Sequence, residues 1–240
     1  MVEQHCPLVI DKRFNGPPNS GNGGYVSGVL ARGFSGPAAV TLRLPPPLER
    51  PLDLVCDADG QRRLLDGERL VGEAKPAQLS LEVPPPVTFA EAEVAARRYT
   101  GFDNHTFNSC FVCGPQRAVG DGLRIFPGQV DDRALVAAPW IPDPSLADPD
   151  GVVRSEFVWA ALDCPGAFAI YLEVPGIVTV LGRFEVELLA PVRAGARHVV
   201  TGWPIRHDGR KHFAGTALFD EQGTLLARAH AIWIEIPRPV

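Results

Sequence analysis

The sequence lacks long apolar runs and has little of several residue types that mark particular protein classes. No stretch of 18 apolar residues occurs, and the N-terminal segment has no charged start followed by an apolar signal core. We therefore expect a cytoplasmic protein with no membrane partner. One methionine and 8% aromatic residues disfavour a long helical bundle, and a net charge of −5 disfavours a nucleic-acid partner.

Cysteine is too scarce and too scattered for a small secreted scaffold held by disulfides. The chain has five cysteines, an odd number, so reduced thiols are expected. Glycine and proline are abundant instead, at 24 residues each among 240, a level that indicates many turns rather than disorder. With 45% hydrophobic residues, the composition predicts short strands joined by turns around a substantial core.

Two parts of the chain repeat one pattern. Residues 40–44 and 184–188 alternate apolar and polar positions in the same way, and each segment is followed by a proline at the same spacing. A glycine turn before an apolar pair also recurs, at Gly67 and again at Gly223. Because period-two alternation is typical of half-buried strands, the repeats predict two similar antiparallel units.

A helix-like segment precedes each set of strands, at residues 22–32 and 155–171. The second is apolar on all sides apart from one carboxylate, which predicts a buried helix wrapped by its sheet. Between the units, three prolines break any strand and Thr88 with Glu91 forms a capping-box pattern that opens a short helix. We predict an N-terminal unit at residues 1–85, a helical connector at 86–100 and a C-terminal unit at 101–240.

The carboxylate in the second helical segment is Asp163. Burial of an ionised carboxylate costs several kcal/mol unless it is paired, and burial raises its pKa toward the range of a general base. The alternative is structural, since Asp163 can cap the turn formed by the following Cys-Pro-Gly segment. A third possibility, Cys164 as a nucleophile, needs a histidine base that the sequence does not place nearby.

The first helical segment opens with an asparagine and two glycines. Asn22 is a candidate N-cap, while Gly23 and Gly24 leave the first-turn amides open to an oxygen or anion. Such a helix start is a candidate oxyanion hole. The same glycines are equally consistent with tight packing against a sheet or a neighbouring helix.

Cys110 and Cys113 have the spacing of half a zinc site, with His105 five residues earlier. The second half of such a motif is missing, so further ligands would have to come from His5, Cys6 or another distant residue. A structural turn with two buried thiols is therefore favoured, and we assign no metal. A thioredoxin-like redox centre is disfavoured because no βαβ pattern surrounds the pair.

Residues 21–31, the strand at 40–44 with the segment after it, and residues 65–71 resemble the first half of double-hotdog acyl-CoA thioesterases. The second half is similar to their C-terminal hotdog. The resemblance covers residues 14–81 and 151–236 and leaves 103–140 poorly matched. It implies an α+β fold in which two antiparallel sheets, each wrapped around a central helix, fuse into one continuous sheet. It also implies an acyl-CoA or acyl-carrier thioester substrate, no cofactor, and a homodimer.

In the thioesterase II type of this family, an aspartate on the second buried helix acts with a threonine and a glutamine to orient the hydrolytic water. Asp163 matches the aspartate, whereas Leu181 and Ala231 stand at the other two positions. Thr179 alternates onto the same strand face as Leu181 and is a candidate substitute. The missing hydrogen bonds could also come from the first half, by Asn15, Asn19 or Asn22.

The resemblance thus predicts hydrolysis of an acyl thioester, with Asp163 taking a proton from the attacking water. The predicted catalytic residues are Asp163, Asn22 and Thr179, and the predicted substrate-binding residues are Gly23, Gly24, Tyr25 and Asn15. Two alternatives stay open. A hotdog hydratase or dehydratase would need a histidine near Asp163, and a non-catalytic acyl-CoA-binding module would fit the absent threonine and glutamine.

Overall fold

The computed structural model describes residues 4–57 and 60–238, which form eleven strands and four α-helices. The strands are β1 Gln4–Val9, β2 Ala38–Leu42, β3 Pro51–Cys56, β4 Arg62–Asp66, β5 Arg69–Pro76, β6 Gly128–Gln129, β7 Val136–Trp140, β8 Val178–Leu188, β9 His198–Asp208, β10 Lys211–Asp220 and β11 Leu225–Ile236. The helices are α1 Gly23–Ala31, α2 Phe89–Ala96, α3 Ser155–Ala161 and α4 Asp163–Glu173.

All eleven strands belong to one antiparallel sheet, in the order β1-β3-β4-β5-β2-β8-β11-β10-β9-β7-β6. The two repeated strand patterns meet at its centre, where β2 pairs with β8 and Val40 lies opposite Phe184. The two glycine turns also correspond, since each lies between paired strands, β4 with β5 and β10 with β11. The predicted fusion of two units into one continuous sheet is therefore confirmed.

The helices that cover this sheet are buried on nearly every side. In α1 every residue except the first is buried, and α4 is buried from Asp163 to Ile170. The last long strand turns a row of small residues toward the interior, with Ala227, Ala229 and Ala231 fully buried. Small side chains at these positions bring the helices close to the sheet.

The helices of the two halves also pack closely on each other, α1 against α3. A Cβ added at Gly28 of α1 would lie 2.5 Å from the Glu156 Cα, so only glycine allows this approach. At the far end of α1, Arg32 donates to the buried Glu156 carboxylate at 2.6 Å. The two halves are thus joined by helix contacts as well as by the sheet.

The predicted helix over residues 155–171 is wrong as a single helix. It is divided at Leu162, where α3 ends and α4 begins. Pro165 explains the break, because proline has no backbone N–H to donate to the carbonyl four residues earlier and its ring crowds that carbonyl. The division places Asp163 at the start of a helix rather than in the middle of one.

The predicted order of one helix followed by strands in each half is also incomplete. A strand, β1, precedes α1 and pairs with β3 at the edge of the sheet. Its Pro7 is acceptable there because an edge strand need not donate every N–H. In the second half two strands, β6 and β7, precede α3.

The connector contains the expected short helix. The Thr88 side chain caps α2 by accepting a hydrogen bond from the Glu91 amide. The Glu91 carboxylate in turn accepts a hydrogen bond from the Thr88 amide. None of the helices in the described part of the chain is long and apolar enough to cross a membrane.

Candidate functional site

Asp163 lies where the first-half helix α1 begins and the second-half helix α4 begins. Its side chain is buried, with 2% of the residue exposed. Its Oδ2 atom accepts hydrogen bonds from Asn22 Nδ2 at 2.8 Å and from the Gly24 backbone amide at 3.0 Å. The carboxylate therefore bonds across to the other half of the molecule, and no side chain caps α4 locally.

The sequence around the start of α1 explains this arrangement. Asn22 is the N-cap, and its Oδ1 accepts the Tyr25 amide at 2.9 Å, which turns its Nδ2 toward Asp163. A Cβ at Gly24 would lie 2.5 Å from the Asp163 Cβ, so glycine is needed for the two helices to meet. The positive end of the α1 dipole favours a carboxylate at this place.

The two oxygens of Asp163 have different surroundings. Burial raises the pKa of Asp163 to about 7, although the hydrogen bonds from Gly24 and Asn22 lower it. While Oδ2 is held twice, Oδ1 has no hydrogen-bond partner among the described residues. A buried polar atom without a partner needs an explanation, and a water or substrate group is one.

The structure brings two of the other predicted site residues into contact with Asp163 and places a third between them in sequence. Asn22 and Gly24 donate to it directly, and Gly23 lies beside Leu181, whose Cβ would be 2.9 Å from a Cβ at that glycine. The Gly24 amide expected in an oxyanion hole is thus already occupied by Asp163. Tyr25 contributes its backbone amide to Asn22, while its ring stacks on Phe14 with centroids 4.1 Å apart.

Asn15 has a different set of partners. Its Nδ2 donates to the Gly16 carbonyl at 2.9 Å and to Ser109 Oγ at 3.1 Å, and its Oδ1 accepts from Arg117. These bonds fasten residues 103–125, which we term the cysteine loop, to the segment before α1. Asn19, the other alternative in this segment, is exposed.

Thr179 is bonded elsewhere. Its Oγ1 lies 3.0 Å from the Tyr171 hydroxyl, and its backbone amide donates to the same hydroxyl at 3.4 Å. Tyr171 is eight residues along α4 from Asp163, a distance of about 12 Å at 1.5 Å per residue. Thr179 therefore supports the far end of the helix.

Sequence reasoning missed two polar groups that lie near the first turn of α4. The Trp233 Nε1 atom is buried with no hydrogen-bond partner in the described part of the chain, and it would lie 3.0 Å from a Cβ at Gly166. Thr216 Oγ1 is also buried with no partner among residues 4–57 and 60–238, and the Thr216 methyl group is near Gly166. The sequence signal for this group is Trp233 itself, which follows Ala227, Ala229 and Ala231 on the interior face of β11, so that its indole N–H lies in the interior.

The cysteine loop adds a cluster of buried thiols beside Asp163. The sulfurs of Cys110, Cys113 and Cys164 all lie within 4.8 Å of one another. Cys110 Sγ is also 3.9 Å from Asn22 Nδ2, the atom that donates to Asp163. Hydrogen bonds from the other two thiols hold the pKa of Cys110 below its usual range. The third thiol is thus Cys164, and neither His5 nor Cys6 joins the cluster.

The cysteine loop is also joined through its backbone to the segment before α1. Besides its contacts with Asn15, the loop donates the Phe111 amide to the Asn15 carbonyl at 2.7 Å. Two surface cavities lie elsewhere, one of about 300 Å³ beside α2 and one of about 160 Å³ between the C-terminal end of α1 and Trp159. Neither cavity is lined by Asp163.

Comparison with known proteins yields matches among solved structures only. No protein-family model and no curated protein matches the sequence. The tesB protein of Mycobacterium avium subsp. paratuberculosis superposes with a TM-score of 0.63 at 14% identity, over 97% of this chain and 93% of that one. The acyl-CoA thioesterase II TesB2 of Mycobacterium marinum gives 0.63 at 10% identity, over 98% and 93%.

A hot dog fold protein of unknown function from Alicyclobacillus acidocaldarius matches with a TM-score of 0.60 at 12% identity, over 99% of this chain and 94% of that one. All three similarities extend over nearly the whole of both chains, so they include both halves and the join between them. At these identities the likeness is one of architecture. The chain therefore has the double-hotdog fold, the same fold as TesB-type thioesterases.

Proposed function

We propose that this protein hydrolyses an acyl thioester, with Asp163 as the general base. The observation that carries the proposal is the state of the Asp163 carboxylate. Asn22 and Gly24 donate hydrogen bonds to Oδ2, while the buried Oδ1 has no partner within the described residues. A carboxylate with one fixed oxygen and one available oxygen is suited to orient a water molecule and accept its proton.

In the proposed reaction, Oδ1 takes a proton from water as the water oxygen attacks the thioester carbonyl carbon. The carbonyl electron pair moves to oxygen and then returns to expel the thiolate. The thiolate receives the proton, so the products are a free acid and a free thiol. Gly23 and the unpartnered Trp233 Nε1 are candidate donors to the oxyanion, since Gly24 already serves Asp163.

The proposed substrate class is acyl-CoA or an acyl-carrier thioester, in keeping with the thioesterases that share the fold. Two of those structures carry names that specify tesB or acyl-CoA thioesterase II. A homodimer in the cytoplasm, the expectation from the sequence, stays part of this proposal. Tyr25 and Asn15 contribute indirectly, Tyr25 by fixing Asn22 and Asn15 by fastening the cysteine loop.

A second candidate is an acyl-thioester-binding module without hydrolytic activity. It is favoured by the apolar Leu181 and Ala231 at the positions where thioesterases of the TesB type carry a threonine and a glutamine. Leu181 packs beside Gly23 at the site. The hydratase alternative has less support, since Asp163 has no hydrogen bond to a histidine among its described partners.

The two candidates differ in whether thiol and acid are released. The purified protein is incubated with acyl-CoAs of different chain length, and free CoA and free acid are quantified by chromatography, because thiol reagents would also react with the protein's cysteines. We expect turnover that Asp163→Asn lowers by about 100-fold or more. The exposed Asp143→Asn is the matched control. Binding without product supports the module, and equal turnover by folded Asp163→Asn contradicts the assigned role.

A further inference from the structure

The thiols of the cysteine loop have no part in the proposed hydrolysis. We propose that Cys110, Cys113 and Cys164 bind one zinc ion through their three sulfur atoms. The proposal is independent of the thioesterase function. It assigns a structural role to the segment that the family resemblance leaves unmatched, and it replaces the turn with two buried thiols favoured by the sequence.

The sulfur positions fit the edges of a zinc tetrahedron. With Zn–S bonds of about 2.3 Å, the sulfurs of a tetrahedral site lie about 3.8 Å apart. Cys110 Sγ and Cys164 Sγ are 3.8 Å apart, and all three sulfurs lie within 4.8 Å of one another. All three residues are buried, and closure by less than about 1 Å completes the set.

The backbone at Cys110 has the shape of a zinc knuckle. Cys110 and Cys113 are separated by two residues, which is the ligand spacing of half a zinc site. Gly114 closes the turn by donating its amide to the Cys110 carbonyl at 2.9 Å. A Cβ at Gly114 would lie 2.5 Å from the Asn108 carbonyl oxygen, so the tight turn requires glycine.

His105 completes the surroundings as a hydrogen-bond donor. Its Nδ1 accepts the Phe107 amide at 2.9 Å, so the proton of the neutral ring is on Nε2. The Nε2 atom lies 3.2 Å from Cys113 Sγ and donates to it. Because a ligating histidine normally donates through its other nitrogen, His105 is assigned to the outer shell. The fourth position on the ion is left to water or another small ligand.

A disulfide is the main chemical alternative for close thiols. A bond between Cys110 and Cys164 would require their sulfurs to approach to about 2.05 Å, and it would use only two of the three sulfurs. Zinc uses all three sulfurs at once, and its binding releases their thiol protons to solvent without any oxidant. The convergence of three sulfurs therefore favours the metal.

The ion would join sequence-distant parts of the structure. It would tie the cysteine loop to the first turn of α4, next to Asp163.

Metal content is the direct test. The full chain is purified under reductant without added metal, dialysed, and analysed for zinc by mass spectrometry. We expect about one zinc per chain, lost in Cys110→Ser and Cys164→Ser and retained in the matched controls Cys6→Ser and Cys56→Ser.

Cobalt substitution in the unmutated chain covers the case in which serine variants fail to fold. Cobalt bound by three thiolates gives a strong sulfur-to-metal charge-transfer absorption and the visible spectrum of a tetrahedral site. Absence of that absorption, zinc content equal in the Cys110 and Cys6 variants, or recovery of a Cys110–Cys164 disulfide from protein kept under reductant would overturn the proposal. Asp163→Asn should keep its zinc, so the zinc measurement can be interpreted even if the proposed hydrolysis is not found.

Discussion

The two halves of the molecule share a sheet but use their central helices differently. In the first half, α1 runs without a break and starts at an N-cap, Asn22. In the second half, the helix is divided at Leu162 and restarts with Asp163. One half therefore presents hydrogen-bond donors at a helix start and the other presents a carboxylate. The two repeated units thus contribute complementary groups, and the candidate site lies where the starts of α1 and α4 meet.

The strands differ in a related way. The first-half strands β2 to β5 have five to eight residues, whereas β8 to β11 have ten to twelve. Of the longer strands, β9, β10 and β11 pack against α4, and Asp163 at the start of that helix is buried. The second half thus supplies the apolar setting in which a carboxylate has an elevated pKa, and the first half supplies the bonds that offset the cost of burial.

A large loss of stability is expected when a side chain is added where the helices of the two halves meet. Gly24→Ala places a Cβ 2.5 Å from the Asp163 Cβ and 2.8 Å from the Trp159 carbonyl oxygen. Overpacking of this kind costs about 1–3 kcal/mol, and we expect a value near the upper end because two of the contacting atoms are backbone. Urea unfolding followed by circular dichroism measures the loss.

Gly36→Ala is the matched control for that substitution. No atom lies within 4 Å of a Cβ at Gly36, so alanine there should leave stability unchanged or raise it by about 0.4–1 kcal/mol through the unfolded chain. An equal loss in the two variants would show that helix contact between the halves is not the reason for glycine at position 24.

A comparable or larger loss of stability is expected from the N-cap that serves both halves. Asn22→Ala removes the cap bond to Tyr25 and the bond to Asp163. Thr88→Ala removes the N-cap of α2. Among the described residues, the Thr88 side chain bonds only within the first turn of that helix. A lost cap costs about 0.5–2 kcal/mol, and a hydrogen bond to a charged group adds about 1.5–3. The free energy of unfolding should therefore fall further in Asn22→Ala than in Thr88→Ala. Equal losses would contradict the role of Asn22 in holding Asp163.

The smallest effect is expected at Thr179. Because its hydroxyl bonds to Tyr171, Thr179→Val should cost about 1 kcal/mol of stability and change turnover of the best acyl-CoA by less than about twofold. Kinetics on the same substrate panel provide the measurement. A loss of turnover comparable with that of Asp163→Asn would return Thr179 to the catalytic group.

Much of the architecture could be predicted because it depends on local patterns. The alternation at residues 40–44 and 184–188 identified strands that pair with each other, and the Thr88 capping box identified α2. The break at Leu162 was missed because an apolar run hides the effect of Pro165. The edge strand β1 was missed because its pattern of exposure has little apolar contrast.

Sequence reasoning identified residues of the candidate site but not the contacts between them. Asp163 stood out as a lone carboxylate in an apolar helix, and Asn22 as an N-cap. That these two bond to each other depends on the packing of helices 141 residues apart in sequence. The same reason explains why Cys164 was not joined to Cys110, since only the fold brings their sulfurs to 3.8 Å.

The central claim is that the first half acts on the reaction by holding the carboxylate of the second half. A double-mutant cycle on turnover tests it with Asn22→Ala, Asp163→Asn and the combined variant, each verified as folded. We expect Asn22→Ala to lower turnover by about tenfold or more alone, and by less than about twofold when Asp163 is already Asn. The same factor in both backgrounds would mean that Asn22 does not act through Asp163, and would contradict the account.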